Sequence, residues 1–251
     1  MRKFMFLMFV SALSLSCSND DSKKESFSKD ILEVNESAGK MHNDLVEILE
    51  KEEQEGRLVI DPSTKELTPQ MIEIIDNYFL SKGANSNSFS DVLVKVSGVK
   101  ENINTLIRMT DENQDLNVFL SGYNHALVPE SVKGYSLRIL DATLLNEGTE
   151  ELSTSLKLIA TEISRNERII PFYREQLLHS VSIAMHSNDY WHSDELRISK
   201  IRYAHIAGAD TAGALLMIQS GAVAAGAAFG GWGGLAVLVG GAAVSSFLAS
   251  R

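Results

Sequence analysis

The apolar residues of the chain recur every three to four positions along most of its length. This period is typical of helices that bury one face, whereas half-buried strands would alternate at every second residue. Convincing strand alternation does not occur in the sequence. The pattern therefore predicts an all-α fold, a multi-helix bundle with six or seven helices over residues 28–206. The expected helices begin at Ser28, Thr68–Pro69, Asp91, the polar run 110–113, Pro129, Thr149 and Phe172.

Several of these helix starts have a local physical cause. Thr68 followed by Pro69 combines a capping hydroxyl with a proline suited to the first turn. Glu150 and Glu151 follow Thr149 and place negative charge at the positive end of a helix. The helix expected over 91–109 contains Gly98, which weakens it by about 1 kcal/mol relative to alanine.

The last part of the chain has a different pattern, because no charged residue occurs between Asp210 and Arg251. A helix over 212–229 would be about 27 Å long, close to the thickness of a bilayer's hydrocarbon core. A second helix over 235–250 would be about 24 Å long. The glycines around Trp232 are expected to form a turn or a flexible point between them. The sequence thus predicts a C-terminal helical hairpin rich in glycine and alanine.

Three glycines of this segment are candidate helix-packing residues. Gly226, Gly230 and Gly234 are spaced four apart, so on one helix they would form a smooth stripe where another backbone approaches closely. A helix that is apolar on all sides belongs either in a protein core or in a membrane. Two hypotheses stay open for residues 207–251: a glycine-zipper tail that associates with membrane or with a second copy, or a hairpin buried as the core of the bundle.

The first sixteen residues have the pattern of a signal peptide. Arg2 and Lys3 precede an apolar run of about twelve residues, which is too short to span a bilayer comfortably. Cys17, the only cysteine in the chain, follows directly and has no disulfide partner. The residues LeuSerLeuSerCys at 13–17 resemble the lipobox of bacterial lipoproteins, in the looser form found in Bacteroidetes, with Ser14 where leucine is usual. This resemblance implies lipidation at Cys17.

The residues that follow Cys17 are polar and acidic. Asp20 and Asp21 lie three and four residues after the cysteine, and such a pair resembles the export signal that takes Bacteroidetes lipoproteins to the outer face of the outer membrane. The resemblance implies a lipid-anchored protein of the outer membrane, exposed at the cell surface. A segment of this composition buries little apolar area, so residues 17–27 are expected to be a flexible acidic tether.

Charge and residue spacing restrict the chemistry. The formal net charge is −10, which disfavours nucleic acid as an electrostatic partner. His179 and His186 are seven residues apart, about 10 Å along a helix, and are too distant to share a metal ion. The sequence contains no Gly-x-Ser-x-Gly elbow and no phosphate-binding loop. We therefore expect no catalytic residues, no metal and no cofactor, and a non-enzymatic protein.

Three short motifs carry one further resemblance. They are Gly39 with His42–Asn43, the pair Tyr190–Trp191, and the stretch 210–214 (AspThrAlaGlyAla) that leads into the glycine-rich tail. Together they resemble a group of uncharacterised Bacteroidetes lipoproteins, a resemblance that implies no particular activity. From the residues themselves, we expect Gly39 to permit close helix packing, and His42 and Asn43 to form hydrogen bonds at its edge. A ligand site at these residues is the alternative.

Overall fold

The computed structural model describes residues 20–84, 88–112, 114–123, 128–145, 149–192, 200–228 and 232–251. Across these ranges the chain forms helices and no strands, which confirms the all-α multi-helix fold. The helices are α1 (Asp20–Gln54), α2 (Pro69–Ser81), α3 (Ser88–Lys95), α4 (Val99–Asp111), α5 (Leu116–Ser121), α6 (Glu130–Leu145), α7 (Thr149–Arg165), α8 (Pro171–Trp191), α9 (Lys200–Gln219), α10 (Ala222–Ala227) and α11 (Gly233–Ala249).

Most helix starts lie at or near the predicted positions. The Thr68 hydroxyl accepts a hydrogen bond from the Met71 amide at 3.3 Å, and Pro69 is the first residue of α2. α7 begins at Thr149, and α8 begins at Pro171, one residue before the predicted start. Local sequence thus determines these ends, because each combines a capping or helix-starting residue with an apolar face.

The single helix predicted over 91–109 is wrong. The structure has two helices there, α3 and α4, and Gly98 between them has a left-handed φ of 82°. α3 also starts earlier than predicted, since the Asp76 carboxylate on α2 accepts hydrogen bonds from the Phe89 and Ser90 amides at 3.0 and 3.3 Å. A side chain from a neighbouring helix therefore holds the amino end of α3.

The first helix is longer than predicted. α1 begins at Asp20 instead of Ser28, so residues 20–27 of the expected tether are helical. Lys23, Lys24 and Glu25 are good helix formers, and acidic residues are favourable at a helix amino end. The low hydrophobicity of residues 20–27 led to the prediction of a flexible tether. A polar segment can nevertheless continue a helix whose later residues are packed, as those of α1 are against α8 and α11.

α11 forms part of the centre of the fold. It packs against α1, α3, α4, α9 and α10, and side chains along its length, including Leu238, Val244 and Phe247, are fully buried. These residues belong to one continuous core that also includes residues of α1, α2 and α8. The division expected between residues 206 and 207 lies inside α9.

The helix predicted over 212–229 is interrupted. α9 ends at Gln219, Gly221 adopts a left-handed φ of 77°, and α10 follows as a separate short helix. Within the described ranges, no helix combines the length and the apolarity needed to cross a membrane.

The three candidate packing glycines do not share one helix. Gly226 lies in α10 and Gly234 in α11, whereas Gly230 lies outside the described residues. A Cβ added at Gly226 would lie 2.6 Å from the carbonyl oxygen of Gly233, and Gly234 faces Val223. Gly226 and Gly234 therefore form a close approach between two helices and not a stripe along one helix.

Close packing between α9 and α11 makes Gly213 intolerant of a side chain. A Cβ there would lie 2.6 Å from the Ser245 hydroxyl and 2.8 Å from the Gly241 carbonyl oxygen. We predict that Gly213→Ala lowers the free energy of unfolding by about 1–3 kcal/mol, as overpacking of a core does. Urea denaturation followed by circular dichroism measures this change.

Gly134 on α6 provides the matched control, since it is exposed and a Cβ there meets no atom within 4 Å. Gly134→Ala should stabilise the protein by up to about 1 kcal/mol, because alanine is the better helix former. Equal effects of the two substitutions would contradict close packing at Gly213.

Candidate functional site

α1, α8 and α9 meet around one buried ion pair. His42 Nε2 on α1 lies 2.6 Å from Asp210 Oδ1 on α9, and both side chains are fully buried. The two residues are 168 positions apart in the sequence. The pair therefore joins the first helix of the bundle to the start of the charge-free segment.

The Asp210 carboxylate receives further donors from α8. Trp191 Nε1 donates to Oδ2 at 2.9 Å, and the Ser187 hydroxyl donates to the same oxygen. Trp191 and Ser187 are themselves fully buried. A carboxylate removed from water is costly unless its charge is paired and its oxygens accept hydrogen bonds. Asp210 meets both conditions, with one donor from α1 and two from α8.

The surroundings of His42 require its doubly protonated form. Its Nδ1 lies 2.9 Å from Asn43 Oδ1, and the Asn43 amide is oriented by the bond that its Nδ2 donates to the His186 carbonyl at 3.2 Å. Both ring nitrogens of His42 thus face oxygen acceptors, so both must donate. Burial acts to lower the pKa of His42, but the charge and hydrogen bond of Asp210, with the Asn43 bond, raise it above its ordinary value.

Gly39 lies one helical turn before His42 and contacts α8 directly. Its amide donates to the Ser182 hydroxyl at 3.2 Å, and a Cβ added there would overlap the His186 ring and lie 2.6 Å from the Ser182 carbonyl oxygen. His186 Nδ1 donates to that same carbonyl at 3.0 Å. The close helix packing predicted for Gly39 is present, and it brings α1 near enough for His42 to reach Asp210.

The three motifs noted in the sequence come together in this network. His42 and Asn43 were expected at a helix edge, but His42 is in the core and its main partner, Asp210, was not predicted. Ser182 and Ser187 were also missed, since buried serines on a helix do not stand out from the sequence. Tyr190 lies beside the network and donates from its hydroxyl to Glu50 at 3.1 Å. Burial and the Glu50 charge raise the pKa of Tyr190.

The remaining histidines occupy separate positions. His179 is mostly buried and lies 3.7 Å from Glu175 on the same helix, and burial lowers its pKa. His192 Nδ1 lies 2.8 Å from the Asn188 carbonyl oxygen, and His125 lies outside the described residues. No metal-binding group of three or more histidine, cysteine or acidic residues occurs in the described part of the chain.

The acidic run at the end of α1 is paired. Arg57 contacts Glu52 at 2.6 Å, and Arg251 contacts Glu53 at 2.6 Å and Glu50 at 3.3 Å. The Arg251 guanidinium also lies over the Phe247 ring at 4.6 Å from its centroid. A run of acidic residues at a helix end is usually solvated. Here, Glu50 and Glu53 form ion pairs with Arg251, which follows the carboxyl end of α11.

The geometry of the network differs from that of a hydrolytic triad. In a hydrolytic triad the histidine bridges serine and aspartate, whereas here Asp210 bridges Ser187 and His42. Ser187 and His42 are both fully buried, which keeps substrate away from them. A cavity of about 40 Å³ between α7 and α8 has room for a water molecule or two. The arrangement therefore suits the positioning of three helices.

Comparison of the chain with protein-family models, with curated proteins and with solved structures finds no match.

We predict that Asp210→Asn destabilises the fold strongly. The substitution preserves the shape of the side chain but leaves the His42 imidazolium buried without its counter-charge, a change that costs about 3–5 kcal/mol. The free energy of unfolding in urea measures it. Asp91→Asn is the matched control, because Asp91 forms an exposed pair with Lys95 at 3.9 Å and such pairs contribute about 1 kcal/mol at most. A loss at Asp210 no larger than the control's would contradict a buried ion pair.

The raised pKa of His42 gives a second prediction. A histidine whose pKa is higher in the folded state contributes stability that is complete below its ordinary value of 6.5 and is lost as the pH rises through the folded-state pKa. The free energy of unfolding should thus fall as the pH becomes alkaline. His42→Gln should remove the part of this pH dependence that His42 contributes. His179 has a lowered pKa and the opposite pH dependence, so the difference between wild type and variant isolates His42. If wild type and His42→Gln show the same dependence of the free energy of unfolding on pH, His42 is not an imidazolium in the folded protein.

Proposed function

We propose that the chain is a lipid-anchored, non-enzymatic surface protein of a bacterial outer membrane, with a helical domain that acts as a binding or envelope-maintenance module. Its glycine-rich segment serves as the interior of that domain. The observation that carries this proposal is the burial of α9 and α11, whose apolar side chains lie in the same core as those of α1 and α8.

Burial of α11 favours the second of the two hypotheses for the tail. The apolar side chains of the segment already have partners inside the bundle, including Ile75 and Phe89 around Gly240. Releasing the segment to a membrane or to a second copy would expose this core and separate Asp210 from His42. Membrane association of the tail is therefore the less favoured function.

The enclosure of the buried network supports a non-enzymatic role. Its groups with catalytic potential are His42, Asp210 and Ser187, and all three are enclosed by the bundle. Their hydrogen bonds connect them to one another and to neighbouring helices, which stabilises one packing arrangement. The surface of the module, which has an excess of acidic residues, would then provide the binding function.

The anchoring part of the proposal rests on Cys17. Its lipobox-like surroundings support acylation, and the acidic pair at 20–21 supports display at the cell surface. In this view the lipid is the contact with the membrane, and nucleic acid is not a partner.

Removal of the C-terminal segment tests the proposal. We predict that deletion of residues 208–251 abolishes the cooperative unfolding transition, since it removes Asp210 and the whole of α11. Circular dichroism and urea denaturation measure the result. Deleting only Arg251 is the control, because its ion pairs with Glu50 and Glu53 lie at the partly exposed edge of the fold and should contribute about 1 kcal/mol each or less.

A folded and soluble truncated protein would overturn the proposal, because the segment would then be a separable module. A separate variant tests whether the tail associates with membranes. The intact chain with Cys17→Ser, added to liposomes, should remain unbound in a flotation assay, whereas binding would favour the membrane-associating tail.

A further inference from the structure

We propose that the α7–α8 loop, taken as residues 166–170 with the adjoining Arg165 at the carboxyl end of α7, faces the membrane to which the lipidated amino end is attached. This inference rests on the proposed lipid anchor at Cys17. It assigns a side of the domain to the membrane, and it is carried by the direction of the helices and by the chemistry of the loop.

α1 and α8 run parallel in the bundle. Contacts between them advance together along the two helices, from Gly39 with Ser182, through Asn43 with His186, to Glu50 with Tyr190. The amino end of α8 therefore lies at the same end of the bundle as the amino-terminal part of α1. The α7–α8 loop immediately precedes α8, so it shares that end.

The anchor is close to this end. Cys17 is separated from Asp20, the first residue of α1, by three peptide units that span at most about 11 Å. The register of α1 and α8 places Pro171 level with residue 28 of α1, about 12 Å from the start of that helix. A lipid on Cys17 would thus hold the α7–α8 loop near the bilayer surface, and a tilt of α1 would bring the loop into contact.

The α7–α8 loop has the residues that a lipid surface favours. Arg165 and Arg168 are exposed, and the Ile170 side chain is 53% exposed. The loop is fixed, because Ile169 is buried and its carbonyl accepts a hydrogen bond from Arg174 at 3.0 Å. Cationic side chains next to an exposed aliphatic one suit an interface of anionic headgroups and acyl chains.

The opposite end of α1 has the opposite charge. The run of four glutamates at 50, 52, 53 and 55 lies there, about 33–40 Å along the direction of the helix from the level of the loop. Arg165 and Arg168 outnumber Glu167 at the α7–α8 loop, whereas part of the glutamate run at the far end is paired with Arg57 and Arg251. The anchored end also contains Asp20 and Asp21, so the orientation rests first on the position of the anchor, and the two arginines add a local attraction to anionic headgroups.

The only cysteine of the chain allows a direct test. The mature chain from Cys17 onward is coupled through that cysteine to a maleimide lipid in anionic vesicles that contain a dansyl headgroup acceptor. Tryptophan is introduced by Ile170→Trp in one variant and by Val59→Trp in the matched control. Val59 is 68% exposed and follows the carboxyl end of α1. Native Trp191 and Trp232 give the same background in both variants.

The expected result is energy transfer to the dansyl groups that is severalfold larger for Ile170→Trp than for Val59→Trp. Equal transfer, or larger transfer from position 59, would overturn the proposed orientation. Circular dichroism of both variants establishes that each is folded.

A second arm tests the arginines. Arg165→Glu with Arg168→Glu, added to the Ile170→Trp variant, should lower the transfer on anionic vesicles, whereas Lys51→Glu at the far end should not. Unchanged transfer in the double variant would overturn the role assigned to the arginines.

Failure of the anchor itself is recognised separately, because chemical coupling does not depend on acylation in the cell. Absence of a lipid label on the wild-type chain in bacteria, or unchanged membrane fractionation of Cys17→Ser, would overturn the anchor. Equal transfer from the two tryptophan positions would overturn only the orientation.

Discussion

The His42–Asp210 ion pair determines how the long helices cross. Asp210 accepts hydrogen bonds from three side chains on two helices, and a shift of α1 or α8 by one residue would leave a buried charge without its partners. A buried ion pair contributes less to net stability than apolar groups of the same size, but loss of one partner is strongly destabilising. The partners of Asp210 are brought together by the observed register of α1, α8 and α9, so the pair constrains how these helices pack. The segment from Thr211 to Ser250 has no charged residue, so its helices have to be covered by other helices on all sides. This requirement further limits how the bundle can pack.

Much of the fold could be predicted from the sequence. The 3.6-residue period indicates helices throughout, and caps such as Thr68–Pro69 locate their starts. The breaks at Gly98 and Gly221 were harder, because glycine occurs both inside helices and in the left-handed turns that end them. Which of these forms prevails depends on tertiary contacts, such as Asp76 holding the amino end of α3. The choice between core and membrane for α11 was open for the same reason, since hydropathy does not identify the covering surface.

The candidate site was predictable only in pieces. His42–Asn43, Tyr190–Trp191 and Asp210 each stood out locally, and Gly39 indicated a close approach of helices. Their assembly could not be derived, because His42 and Asp210 are 168 residues apart and nothing local specifies that pairing. The partners of the acidic run at 50–55 could not be predicted from local sequence either. A run of glutamates is usually solvated, but here Arg251 reaches part of it from the other end of the sequence.

The pairing of Arg251 with Glu50 spans 201 residues, and it has a consequence for the order of folding. The first long helix is packed against the last one, so an incomplete chain lacks the segment that fills its centre. Contacts between such distant segments form late, since a long loop must close before they stabilise the fold. A chain that is still emerging has no complete core and stays in an open form. The compact state is reached only when the segment that forms α11 is available to pack against α1.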